Sequence, residues 1–242
     1  MDADGARLGV KRNTTAVAIA LTFCSGAMDV AAFTRLGSVF SSVMTGNIVL
    51  FGLSVARGSA SLLLHTLTAV AGYVTGVASG ARIGWYRSVR AEASEQVWAP
   101  HVRAVLAGEL VLLCVLGAGW EVARSSPSGP GEYALLAVAA AAMGMQSAAV
   151  NQMGLSNVST TYLTGTLTGL VGSLARPDRK EEGPLRPGVL AGLLCGALLC
   201  GLLMLKAAFL FPVLPVGSLV LTLLMGWGLP GRGRMVAATS RS

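Results

Sequence analysis

The chain has few charged residues, histidines or cysteines, and each shortage excludes a class of protein or site. Charged side chains make up 12% of the 242 residues, whereas a soluble domain carries about 25%. His65 and His101 share no metal-binding spacing, and neither paired carboxylates nor a Ser-His arrangement lies at one face. We therefore expect neither an enzyme nor a metal or cofactor site. The four cysteines stand in apolar stretches without a CxxC spacing, which argues against a disulfide framework.

Long apolar stretches take the place of the missing charges. Hydrophobic residues make up 53% of the chain, and the mean hydropathy is +0.67. A helix needs about 20 apolar residues to cross a bilayer, and backbone groups in lipid must be paired within the segment. Six stretches meet this requirement and predict an all-α integral membrane protein: 14–36, 60–81, 103–120, 133–152, 187–205 and 209–228.

The net charge of +7 comes from cations scattered through the connections between these stretches. Such a distribution is typical of the positive-inside pattern of membrane proteins and does not indicate nucleic-acid binding. It predicts that both termini lie in the cytoplasm.

The chain also repeats itself. The stretch GAMDVAAFTRLG (26–37) returns as GMQSAAVNQMG (144–154), and TGNIVLFGLSVAR (45–57) returns as TGTLTGLVGSLAR (164–176). Internal repeats of this kind often form two similar halves around a central site. We therefore expect one membrane domain built from two repeats, 1–125 and 126–242.

Two segments leave the number of crossings open. Residues 37–57 and 155–176 each centre on a Thr-Gly pair, and each is long enough either to span or to enter and return. If both return, six helices span, the halves are inverted, and 14 Lys and Arg residues face 4 across the membrane. If both span, eight helices form parallel 4+4 repeats and the ratio falls to 12 against 6. The positive-inside rule favours six spans with two broken or re-entrant segments.

Glycine ladders predict close helix packing in both halves. Each places three glycines four residues apart on one helix face, which lets two backbones approach closely. The sequence match pairs Gly72, Gly76 and Gly80 with Gly188, Gly192 and Gly196. We expect these two helices to meet near the axis that relates the halves.

Few ionisable residues lie inside the apolar segments, and each needs a partner or a function. Asp29 lies deep in the first segment, and the repeat pairs it with Gln146, so the two side chains are predicted to approach a common axis. Asp29 could bind a cation, take up a proton or orient a substrate, or it could be a structural carboxylate. Glu109 lies about two turns inside the predicted third span and carries less weight.

The Thr-Gly segments supply further candidate groups for a site. Their hydroxyls, amide and exposed backbone suit a small polar or anionic molecule, and the candidates are Thr45, Gly46, Asn47, Thr164, Gly165 and Thr166. The alternative is that these hydroxyls bond to the backbone of an ordinary helix.

The motifs G-x-x-D (26–29), F-x-x-x-M-T-G-N (40–47), G-x-Q-x-A-A (144–149) and T-T-x-x-T-G-T-L-T (160–168) resemble the YoaK-like family. This resemblance implies a bacterial inner-membrane protein, usually drawn with six helices, that carries a domain of unknown function. The family commonly has Asn after the Gln, whereas this chain has Ser147 there.

These features favour a permease or channel for a small polar or anionic molecule, with its site between the repeats and with proton coupling through Asp29. A non-transporting scaffold or sensor that binds a partner through the glycine faces is the alternative. The expected partners are the lipid bilayer and a small-molecule substrate but not nucleic acid, and self-association into a homo-oligomer is left open.

Overall fold

The computed structural model describes residues 3–88, 99–153, 163–174 and 185–227. Within these ranges the chain forms helices and connections and contains no strand, which confirms the all-α prediction. The described helices are α1 (Ala3–Arg35), α2 (Met44–Arg57), α3 (Ala60–Ser88), α4 (Pro100–Val122), α5 (Pro130–Gln152), α6 (Leu163–Leu174), α7 (Leu185–Lys206) and α8 (Val213–Trp227), with a 3-10 turn at Ala208–Leu210 before α8.

Six segments are long and apolar enough to cross a bilayer, as predicted. They are Asn13–Arg35, Ala60–Tyr86, Pro100–Val122, Pro130–Gln152, Pro187–Lys206 and Ala208–Gly226. With 14 and 12 residues, α2 and α6 are about 21 and 18 Å long. Both are shorter than the hydrocarbon core of about 30 Å.

The first part of α1, the start of α4 and the last turn of α8 meet at one end of the bundle, called end A. Asn13 Nδ2 donates to Met225 O over 3.2 Å, and Arg103 Nη2 donates to Gly226 O over 3.1 Å. Because the last carbonyls of a helix have no partner within it, these two side chains satisfy the end of α8.

The ends of α1, α4 and α7 meet at the opposite end of the bundle, called end B. Arg35 Nη2 donates to Met204 O over 3.4 Å, and Trp120 Nε1 donates to Ala208 O over 2.8 Å. The helices α1, α4 and α7 therefore end at end B, and α8 begins there.

The helices α3 and α5 also begin at end B. His65 Nε2 in the second turn of α3 lies 3.2 Å from Glu132 Oε1 in the first turn of α5. Gly37, two residues after α1, has a φ of +88° and lies against the His65 ring, where a Cβ would overlap the imidazole. The position therefore requires glycine both for its backbone conformation and for the close approach.

Each Thr-Gly segment stands between two helices that adjoin at one end of the bundle, and the two segments belong to opposite ends. The first leaves α1 and enters α3 at end B. At end A, Gln152 Nε2 in the last turn of α5 donates to Gly80 O of α3 over 3.1 Å, and Gly188 of α7 packs on Ile19 of α1. The helix α5 thus ends and α7 begins at end A, and of the second segment the structure describes 163–174 as α6. The eight-helix parallel alternative is wrong for this structure, since six of the described helices are long enough to cross the bundle and α1 and α5 run in opposite directions.

Close helix contacts join two groups of four helices, α1–α4 and α5–α8. In α3, Gly72 and Gly76 lie against the carbonyl oxygens of Ala137 and Ala141 in α5. In α7, Gly192 and Gly196 lie in the same way against the carbonyl oxygens of Ile19 and Phe23 in α1. We expected the two glycine helices to meet each other, but each instead packs on a helix of the other group. Glycine has no Cβ, so a glycine face can pack closely on any facing backbone. A glycine ladder therefore predicts close packing but not which helix is the partner.

The matching contacts follow a different register from the sequence match. In α1 and α5 they are 118 residues apart (19 with 137, 23 with 141), and in α3 and α7 they are 120 apart (72 with 192, 76 with 196). The sequence alignment of the two repeats instead paired Gly72 with Gly188, which lies one helical turn before Gly192. A ladder with glycine at every fourth position matches itself after a shift of four residues, so letters alone do not determine its register.

Candidate functional site in the polar interior

The carboxyl group of Asp29 is surrounded by donors from the segment that follows α1. Its Oδ1 accepts from Ser41 N at 2.9 Å, Ser41 Oγ at 3.0 Å and Ser42 N at 2.7 Å. Its Oδ2 accepts from Ser42 Oγ at 2.6 Å. A carboxylate with this many donors is well stabilised in an apolar interior. Asp29 therefore anchors the returning segment to α1.

Asn47 holds the same segment from the other side. Its Nδ2 donates to Phe40 O over 2.7 Å, and its Oδ1 accepts from Phe40 N over 2.9 Å. The Asn47 side chain is fully buried and gives the Phe40 N–H and C=O groups the hydrogen-bond partners that this non-helical backbone does not find in a helix. Since Asp29 lies six residues before the end of α1, the segment 36–43 descends about 9 Å into the bundle from end B.

Gln146 links α5 to α1 in the bundle interior. Its Nε2 donates to Leu21 O over 3.0 Å and to Ser25 Oγ over 2.8 Å. Its Oε1 is buried and has no hydrogen-bond partner among the described residues. Ser25 is one turn before Asp29 on α1. Gln146 of α5 therefore contacts α1 one turn from Asp29, but no described hydrogen bond joins the two side chains.

Glu109 has the barest surroundings of the buried polar side chains. It is fully buried in α4, and neither carboxyl oxygen has a hydrogen-bond partner in the described part of the chain. The neighbouring Gly108 packs on Met145 of α5. The Cys24 Sγ of α1 donates weakly to Pro215 O at 3.9 Å.

These interior groups lie at similar depth. Gln146 is six residues from the end of α5, Leu21 eight residues after Asn13, and Glu109 nine residues after Pro100. The three positions are about 9–14 Å from end A along their helices. Ser25, one turn beyond Leu21 and about 18 Å from end A, bonds to Gln146, and we call Ser25, Gln146 and Glu109 the polar interior.

The other predicted site residues lie elsewhere. Thr45 is exposed on α2, and Gly46 faces the Phe40 ring, 3.1 Å from where its Cβ would be. On α6, which packs against α7, Gly165 is exposed and Thr166 is buried. Thr164 belongs to α6, but its side chain lies outside the described part. The first Thr-Gly segment thus belongs to end B, whereas α6, the described part of the second, stands between α5 and α7, which adjoin at end A.

A cavity opens at end A between α3, α4 and α5. Its volume is about 320 Å³, and its lining residues are Val77, Ala81, Gly84, Trp85, His101, Ala148, Asn151 and Gln152. One turn deeper, Tyr73 donates its hydroxyl to Ser147 Oγ over 2.8 Å. Ser147, where the resembled family commonly has Asn, therefore lies between this cavity and the polar interior.

Ser25 and the central position of Glu109 were missed from the sequence. Ser25 gave no signal, since a single Ser in a span usually bonds to its own helix, as Ser25 Oγ also does with Leu21 O at 3.3 Å. Glu109, in contrast, could have been recognised from the sequence. The positions one turn before and after it are Val105, Leu106, Leu112 and Leu113, so no cation lies within one turn of it on its own helix.

The fold and its interior define a multi-pass helical membrane protein with six spanning helices and a buried polar centre. The model of a family described as a protein of unknown function (DUF1275) matches residues 17–226, and the chain belongs to this family.

The chain is also similar to the UPF0700 transmembrane protein YoaK of Bacillus subtilis (strain 168). The two are 32% identical over 161 residues, which cover 66% of this chain and 66%, just under two thirds, of the relative. No solved structure matches the chain.

Proposed function

We propose that this protein is a permease or channel of the bacterial inner membrane that moves a small polar molecule through the polar interior. The observation that carries the proposal is the contact between polar side chains of α1 and α5 in the bundle interior, with Glu109 of α4 at similar depth. Gln146 of α5 bonds to Ser25 of α1, while Gln146 Oε1 and both Glu109 oxygens have no partner among the described residues. Buried polar groups without partners are rare in proteins, so a ligand is the natural partner for these oxygens.

The unpaired atoms indicate the chemistry of the ligand. All three are oxygen acceptors, and Glu109 can carry a negative charge. They favour a small molecule that brings N–H or O–H donors over the anion that the Thr-Gly chemistry also allowed. The matching contacts of α1 with α7 and of α5 with α3 support two equivalent, inverted halves around this centre.

The proposed orientation places end A in the cytoplasm. Arg82 and Arg103 lie towards this end, in agreement with the positive-inside pattern. Single cysteines replacing Arg57 or Arg124, both exposed at end B, test it in a background without the native cysteines. Both should react with an impermeant maleimide added to intact cells, and labelling only after lysis would reverse the orientation.

A ligand screen tests the function. Purified protein is heated with small polar cations, neutral hydrogen-bond donors and anions, since a ligand that binds only the folded state raises the melting temperature. We expect a donor-bearing compound to stabilise the wild type and the exposed-site control Thr45→Ala, but not Gln146→Leu. The proposal fails if no class stabilises, or if Gln146→Leu responds as the wild type does.

The scaffold alternative has less support, because the glycine faces it would use are filled within the chain. Positions 72 and 76 face α5, and positions 192 and 196 face α1. These faces are therefore not free for the helix of another protein. Stabilisation only by a co-purifying protein, without any small-molecule response, would favour the scaffold.

A further inference from the structure

Glu109 is the buried group that the fold itself does not explain. Its side chain is fully buried near the middle of α4, where an uncompensated charge is strongly unfavourable. Asp29, also buried, has four hydrogen bonds. Glu109 has none from the described residues, so neither capping nor packing accounts for a carboxyl group at this position.

None of the contacts described around Glu109 brings a cation to it. The titratable groups of α1 in this region are Cys24 and Asp29, and neither is a cation. Next to Glu109 on α4, Gly108 packs on the uncharged Met145 of α5. Within the described ranges, the one ion pair is His65 with Glu132 near end B. None of these groups offers the Glu109 carboxyl group a positive charge.

A proton suits this environment better than a metal cation does. Calcium takes six to eight oxygen ligands and magnesium an octahedral set. The polar interior offers three unpaired oxygens among the described residues, two from Glu109 and one from Gln146. One proton on a Glu109 oxygen removes the charge and creates an O–H donor, for which the unpaired Gln146 Oε1 is an acceptor of the right type.

We propose that Glu109 is the proton-carrying residue of this permease, loaded from water in the cavity at end A. His101 lines that cavity and lies eight residues before Glu109 on the same helix, about 12 Å along the axis. A hydronium ion in the cavity gives its proton to a Glu109 carboxylate oxygen and leaves water behind. The substrate moves while Glu109 is neutral. The proton returns to water on the other side when the carboxyl group is exposed there, which restores the carboxylate.

Infrared difference spectroscopy tests this assignment without any substrate. Purified protein made by cell-free synthesis with ¹³C-carboxyl glutamate or ¹³C-carboxyl aspartate is compared across pH in lipid nanodiscs. We expect the C=O band of a protonated carboxyl group that titrates with pH, shifts with labelled glutamate and does not shift with labelled aspartate. The band should be lost in Glu109→Gln and retained in Glu132→Gln, a matched variant at end B.

Three outcomes would overturn the assignment: no titrating carboxyl band, a band that shifts with labelled aspartate, or a band retained in Glu109→Gln. If Glu109→Gln does not yield folded protein, the isotope shift in the wild type and the Glu132→Gln variant still decide. The assignment rests on the proposed permease function, but the two fail separately. Ligand stabilisation without the band means an uncoupled permease, and the band without any ligand response means a proton site in a protein that is not this permease.

Discussion

Asp29 and Glu109 are both carboxyl side chains buried in spanning helices, yet their surroundings are opposite. Asp29 accepts four hydrogen bonds from Ser41 and Ser42, which follow it by 12 and 13 residues. Glu109 accepts none from the described part of the chain. A buried carboxylate with a full set of donors stabilises the structure that supplies them, whereas one without donors has only its own unfavourable burial. The comparison separates a structural anchor from a candidate for function.

The largest expected effect comes from removing the anchor. Asp29→Ala leaves two backbone N–H groups and two hydroxyls of the descending segment without their acceptor. Each orphaned buried donor is unfavourable by about 1–3 kcal/mol, so we expect a loss of about 3 kcal/mol or more in the free energy of unfolding. SDS-induced unfolding in mixed micelles, followed by tryptophan fluorescence, measures it. A loss below about 1 kcal/mol would mean that Asp29 is not the anchor.

The second largest effect is expected at Asn47, which also holds the segment 36–43. Asn47→Ala removes both hydrogen bonds to the Phe40 backbone, and we expect about 2 kcal/mol of lost stability in the same assay. Thr45→Ala on the same helix is the control, since Thr45 is exposed and surface changes are usually within about 0.5 kcal/mol. Equal losses in the two variants would contradict the role of Asn47.

A smaller effect is expected when one of the four hydrogen bonds to the Asp29 carboxylate is removed. Ser42→Ala removes the hydroxyl that donates to Asp29 Oδ2 at 2.6 Å but keeps the backbone donors on Oδ1. A hydrogen bond to a charged group contributes about 1.5–3 kcal/mol, and we expect the lower end because the rest of the anchor remains. In a double-mutant cycle, Ser42→Ala should have little further effect once Asp29 is alanine. Additive losses would show that Ser42 acts independently of Asp29.

Much of the fold followed from the sequence, because the bilayer imposes a length on each crossing. The predicted stretches 14–36 and 187–205 differ by one residue from the observed spans at 13–35 and 187–206. The number of crossings was also predicted correctly, since charge placement is read along the chain. The glycine register and the partners of the glycine helices were not, because both depend on which helices meet in space.

The interior was harder to predict than the spans. The link from Asp29 to Ser41 and Ser42 depends on a descending backbone that hydropathy does not describe. Glu109 was given less weight because its helix was placed from residue 103, whereas α4 begins at Pro100 and puts Glu109 nine residues rather than six from the helix start. The depth of a side chain in the bundle and the helix that it faces are both determined by how the helices pack, and the composition of a segment does not determine that packing.

The smallest expected effect is at Glu109 itself. Glu109→Gln replaces an unpaired carboxyl group with a neutral amide of nearly the same shape, so no described hydrogen bond is lost. Replacing a buried unpaired charge is often neutral or stabilising, and we expect unfolding to change by less than about 1 kcal/mol, in the stabilising direction. The same micelle assay measures it beside Asp29→Ala. A loss as large as that of Asp29→Ala would mean that Glu109 has partners in the folded protein, and the contrast between the two carboxyl groups would disappear. A neutral result keeps Glu109 as a residue that the fold does not need, so that any loss of ligand response or of the titrating band in this variant reports function rather than folding.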